Sequence, residues 1–179
     1  RALLVALLSN LIAACASSPV TARSNTLPVR LFAPEAAPAA VQSAGLQSVT
    51  NRTASDQLTV LSLNLAHGRG LSRNQLLVGA KQIRHNLDAV ADFLRRSGAD
   101  IVALQEVDSP SAWSGSFDHV AYLATAAGLP YTAYAEHANV WVGHYGTAVL
   151  SLQPIRSSLG HSFPATPPTA RKGFTLAQI

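Results

Sequence analysis

Polar and apolar positions along this chain fall into two regimes. From about residue 58 onward, short apolar runs are cut by clusters of Gly, Pro, Ser and Asn, whereas the preceding forty residues show no sustained period. Residues 99–108, ADIVALQEVD, are the stretch the rest is arranged around. Ile101, Val102, Ala103 and Leu104 form an apolar run without strict alternation, which suits a strand buried on both faces. Gln105, Glu106 and Asp108 follow at once, where such a strand emerges at the rim of its sheet. Residues 58–64 (LTVLSLN) repeat the design, an apolar run ending in Asn64 before a loop. Between the two, Ile83, Leu87, Val90, Ala91 and Leu94 share one helical stripe, and Arg84, Asp88, Asp92 and Arg96 take the other face. The spacing predicts a helix over 82–97 with Gly98 at its C′ position. Ser72 and Gln75 have the spacing of a capping box and predict a short helix before it.

Further along, Phe117, Val120, Leu123, Ala124 and Ala127 predict a second helix over 116–128, ended by Gly128 and Pro130. Residues 131–137 (YTAYAEH) alternate as a strand, and 139–144 read as a loop carrying Trp141. Residues 146–151 and 155–161 suggest a hairpin around Gln153 and Pro154, and 173–179 a last strand. Strand–helix–strand order puts the first two strands in one sheet without fixing their direction, and close pairing of Asn64 with Glu106 favours both ends on one rim. Open α/β sheets place their chemistry at the carboxyl ends of strands. The fold class is therefore α/β (α+β).

The start of the chain has a different character. Residues 1–15 (RALLVALLSNLIAAC) hold an apolar run too short for a bilayer, which takes about 20 residues. The run fits the h-region of a secretory signal. Its end, LIAAC, looks like the lipobox of bacterial lipoproteins, with Cys15 as the lipidated residue. Cys15 is the single cysteine, so no intrachain disulfide can form. There is no methionine, which suggests that the start of the protein lies upstream. Residues 16–57, rich in Ala, Ser and Pro, read as a flexible linker that cannot bury enough surface to offset its ordering. The expected organisation is a signal at 1–15, a linker at 16–57 and a folded unit at 58–179. It implies a lipid-anchored protein of the cell envelope, facing away from the cytoplasm. Ala16 after the cysteine points to the outer membrane if the source is Gram-negative.

A net charge of +4 is compatible with anionic partners and decides little. No basic run interleaved with aromatics argues for a nucleic-acid groove.

Three motifs, SLNLAHG at 62–68, ADIVALQEVD at 99–108 and YGTAVLSLQPI at 145–155, carry a resemblance. In their order and spacing the chain resembles the endonuclease/exonuclease/phosphatase superfamily, metal-dependent phosphoesterases with a deoxyribonuclease-like fold, over residues 58–179. The resemblance implies half of a four-layer αββα sandwich, truncated at the C-terminus. It implies that Glu106 coordinates Mg²⁺ (or Mn²⁺), and that Asn64 orients a metal-bound water or a phosphate oxygen. It places Arg171, with Lys172 beside it, before the last strand, where relatives carry a basic residue facing phosphate. His67 lies in the loop above the same rim and is a candidate substrate contact. Thr147 and Leu152 stand where relatives commonly have Asn and Arg, which weakens phosphate contact from that turn. The family's later motifs, a histidine, a G-D-x-N turn and a terminal S-D-H, are not found, and no aspartate follows Asp118. This stretch alone is thus expected to hydrolyse nothing. For the whole protein the resemblance implies hydrolysis of phosphodiester or phosphomonoester bonds. The substrate would be a nucleic acid, a phospholipid head group or a small phosphoester, acted on by a monomer held at a membrane by its lipid. The alternatives are a phospholipid- or phosphoinositide-cleaving relative and a non-catalytic cell-surface binding domain.

Overall fold

In the computed structural model the described residues are 26–32, 57–141 and 143–179. Helix α1 (Ala80–Ser97) buries Ile83, Leu87, Ala91 and Leu94, four of the five residues of the stripe read from the sequence, with Val90 half-buried. It stops at Gly98, whose left-handed backbone (φ 63) lets its N–H reach back to the Arg95 carbonyl. That conformation is strained for any residue with a Cβ. The chain then enters β4 (Ile101–Asp108), which lies parallel to β3 (Val60–Asn64) with Asn64 opposite Gln105.

Helix α2 (His119–Ala127) begins three residues later than expected, because Asp118 serves as its N-cap and accepts from the Ala121 N–H. Strands β5 (Tyr131–Val140) and β6 (Gly143–Ser151) form an antiparallel pair, so most of the expected 139–144 loop is strand. Together with β2 (Val29–Phe32), β3 and β4 they make a five-stranded mixed sheet in the order β2-β5-β6-β4-β3. A second sheet, β1-β7-β8, comprises β1 (Thr26–Leu27), β7 (Ser157–Ser162) and β8 (Gly173–Gln178). The two helices pack with Leu104, Val107, Tyr134, Ala148 and Leu150 of the large sheet in one apolar core. Strands β7 and β8 lie against β5 and β6. The layers run helix, sheet, sheet: three of the four in an αββα sandwich.

Four expectations are corrected. Residues 146–161 are no hairpin: β6 pairs with β4 and β5, while β7 crosses to the second sheet and pairs with β1 and β8. The turn at Gln153 and Pro154 reads alike in both cases, and packing chooses between them. Residues 26–32, assigned to the linker, form two strands, one in each sheet, with Pro28 between them. Strands of two and four residues are too short to show a period, and their partners lie about a hundred positions away in sequence. Among the described residues β3 is an edge strand, and Val60, Ser62 and Asn64 are exposed on one side of it. Finally, Asn74 and not Ser72 caps the helical turn Gln75–Leu77, accepting from the Leu76 N–H, because an Asx side chain reaches that donor directly. Cys15 and the rest of the 1–57 assignment, apart from 26–32 and Gln57, lie outside the described residues.

Candidate active site

The site grows from two irregularities in the large sheet. Along β4, Gln105 pairs with Thr147 and Val107 with Gly146, which leaves Glu106 without a partner in β6. Along β5, Glu136 pairs with the same Gly146 and Ala138 with Tyr145, which leaves out His137. Two β-bulges therefore face each other across Gly146, and such bulges re-aim the extra residue. Glu106 takes a left-handed backbone (φ 49) to do so. Both bulge residues line one cleft of about 310 Å³, together with Asn64, Tyr145, Arg171 and Lys172. Gly146 forms part of its floor. A Cβ there would stand 1.8 Å from the Ala135 carbonyl oxygen, so only glycine lets β5 and β6 approach at this point.

The residues singled out in the sequence are brought together to different degrees. Asn64 and Glu106 share the cleft, one at the end of β3 and the other at the bulge of the neighbouring β4. The Asn64 Oδ1 accepts from the Ala66 N–H at 2.8 Å, which fixes the side chain in an Asx turn and leaves its NH₂ to donate. Arg171 and Lys172 join the cleft from the segment preceding β8. Glu106 stays partly open, its side chain 43% exposed. His67 does not line the cleft. It is buried behind Glu106, its Nδ1 2.7 Å from Asp108 Oδ1 and its Nε2 3.6 Å from Glu106 Oε2. Asp108 is fully buried and also accepts from Trp113 Nε1 at 2.8 Å.

Asp108, Trp113 and His137 went unrecognised as site residues. Asp108 was visible only as a polar end to an apolar strand, and the signal that could have found it is a charge continuing a run that ought to be buried. His137 looked like one position in an alternating strand, and nothing local announces the bulge that turns it.

Burial pushes the pKa of His137 down, helped slightly by His161, so the ring is neutral at physiological pH. Its Nε2 meets Thr147 Oγ1 at 2.8 Å, and that hydroxyl in turn meets Thr175 Oγ1 at 2.8 Å, tying the two sheets together behind the cleft. Burial pushes Tyr145 up, with the Glu106 and Asp108 carboxylates adding to the effect, so its phenol keeps its proton. The cleft thus offers one partly open carboxylate, neutral hydrogen-bonding groups and two cations. That set suits a phosphate-bearing ligand accompanied by a metal ion.

Residues 61–177 match the Endonuclease/Exonuclease/phosphatase family. Among solved structures, the chain is similar to an endonuclease/exonuclease/phosphatase family protein from Leptotrichia buccalis C-1013-b. The TM-score is 0.47 at 15% sequence identity, over 68% of this chain and 49% of that one. The chain thus spans about half the length of that solved relative. No curated protein matches it.

Proposed function

The chain belongs to the endonuclease/exonuclease/phosphatase family, and on that premise we propose that it carries the Asn64–Glu106 portion of a metal-dependent phosphoester hydrolase. Hydrolysis of phosphoester bonds is the general activity of the family, and its members generally depend on a divalent metal. The observation that supports the reading most is the convergence of Asn64, Glu106 and the Arg171–Lys172 pair on one cleft from three separate stretches of sequence.

Glu106 fits a divalent cation as a single oxygen ligand, since its carboxylate is partly open and carboxylate oxygen suits a hard ion such as Mg²⁺ or Mn²⁺. Among the described residues no group of three His, Cys, Asp or Glu side chains could hold a metal on its own. The remaining ligands would therefore be water, substrate or donors outside those residues. When bound, the ion would polarise a phosphoryl oxygen and stabilise the leaving group. The chain's own groups bind and orient. The Asn64 NH₂ donates to a phosphate oxygen, while Arg171 and Lys172, lining the same cleft, offset its charge.

The test uses the full-length protein with Mg²⁺ or Mn²⁺ on a chromogenic phosphodiester, plasmid DNA and phospholipid vesicles. Metal-dependent turnover that falls about 100-fold or more in Glu106→Ala supports the reading. Turnover that is independent of metal, or unchanged in Glu106→Ala, overturns it. The member of the panel that is cleaved separates a nuclease from a phospholipid-cleaving enzyme, and no turnover on any of them favours a binding domain. We also propose that lipid on Cys15 holds the mature protein at the cell envelope. Mass spectrometry finding Cys15 unmodified within a longer chain would rule that out.

A further inference from the structure

A buried polar cluster lies behind Glu106 and is not used by the reading above. Asp108 is fully buried and divides its two oxygens: Oδ1 meets His67 Nδ1 at 2.7 Å, and Oδ2 accepts from Trp113 Nε1 at 2.8 Å. Across the ring, His67 Nε2 stands 3.6 Å from Glu106 Oε2, longer than a hydrogen bond but within ion-pair reach. The imidazole packs against a stacked aromatic pair, with centroids 4.9 Å from Trp113 and 4.7 Å from Tyr145. The Gln75 amide ties the same turn down by donating to the carbonyls of His67 and Trp113. Ala66, His67 and Glu106 all adopt positive φ (46, 59 and 49), a region that residues with a side chain rarely occupy. Strain of this kind persists only where the surroundings over-determine it. Here all three residues belong to the backbone that sets the ring between the two carboxylates.

We propose that Asp108 and His67 are positioning residues for Glu106: Asp108 fixes the ring, and the ring fixes the carboxylate in the orientation that takes a divalent cation. The proposal rests on the reading of Glu106 as a cation ligand. Its physical basis is twofold. A free glutamate side chain loses rotamer freedom when it binds, and one already held has less to lose. Histidine–carboxylate contacts behind a metal ligand also set its orientation, and disrupting them commonly weakens metal binding 10- to 100-fold. Asp108 is suited to anchor the arrangement because its own charge is satisfied on both oxygens without reaching solvent.

The experiment measures binding of Mn²⁺ alone to the full chain by its electron paramagnetic resonance signal, with thermal melting in parallel. Glu106→Gln sets the baseline for losing the ligand charge. His67→Asn tolerates the left-handed backbone and can still reach Asp108, but it is too short for Glu106. It is expected to weaken Mn²⁺ binding about tenfold at a nearly unchanged melting temperature. In the Glu106→Gln background the same substitution should add nothing. Should His67→Asn fail to fold, Trp113→Phe removes the donor on Asp108 Oδ2 from outside the pair and is expected to weaken binding several-fold. If Glu106→Gln weakens binding while His67→Asn and Trp113→Phe do not, positioning is overturned and the cation reading stands. If Glu106→Gln leaves Mn²⁺ affinity unchanged, the cation reading fails and the positioning role goes with it. A His67→Asn loss that persists in the Glu106→Gln background also overturns the proposal, since its effect then runs through another group.

Discussion

At Gly146 a single methyl group decides whether β5 and β6 can meet. The atom it would strike is a backbone carbonyl oxygen, which cannot swing aside as a side chain can. Gly146→Ala is therefore expected to cost about 3 kcal/mol of stability, read as a lower urea midpoint. His119 gives a second residue-scale test. It is fully buried, with Nε2 donating to the Ser114 carbonyl at 3.0 Å, and burial pushes its pKa below the usual 6.5. The Ser114 carbonyl and the charges of Asp108 and Asp118 oppose that shift and are outweighed. The unfolded chain thus takes up a proton near pH 6.5 that the fold resists, so stability is present above that pH and declines below it. The urea midpoint should fall between about pH 7.5 and pH 5.5, and His119→Gln should flatten the slope. His137, lowered in the same direction, should leave part of the slope in place. Glu106 was legible in the sequence because a carboxylate ending an apolar run is conspicuous. The tie of His67 to Asp108 was not, because it spans 41 positions and depends on a bulge that no local pattern encodes.

The long elements were legible where one face repeats. The α1 stripe contained all of that helix's buried residues, and β3 and β4 pair in parallel with both ends on one rim, a direction that strand–helix–strand order alone did not fix. The misassigned elements depend on distant partners. Strand β2 exists because β5 offers it a free side, with Val29 to Phe32 set against Ala135 to Thr132. Arg30 adds a contact to Asp118 at 3.3 Å and lies over the Tyr134 ring. A chain cut to begin at residue 58, as the linker assignment would suggest, loses that strand and uncovers the edge of β5. It should melt roughly 5–10 °C lower than one retaining residues 26–32, on the basis of about 2–3 kcal/mol lost. Differential scanning calorimetry of the two chains checks this.

Across the whole molecule, the two sheets close over one another and leave the small sheet with an apolar outer side. Leu159 and Leu176 are cross-strand neighbours there, and Phe174 stacks on His161; Leu159, Phe174 and Leu176 are each more than 40% exposed. The chain as given should therefore bind a hydrophobic dye such as ANS, and Leu176→Lys should reduce the fluorescence. The layer order could be anticipated from the resemblance, whereas the pairing of β7 across the sheets could not, since turn residues do not say which sheet receives the next strand. The paired bulges carry a consequence of another kind. Leu104 and Val107 bury their side chains as if Glu106 were not between them, and without Glu106 and His137 both ladders would run in step past Gly146. Core packing and cleft chemistry are thus written in different letters of the same strands. One in-frame codon in each strand is the unit by which a lineage can gain or discard the cleft residue and inherit the scaffold intact.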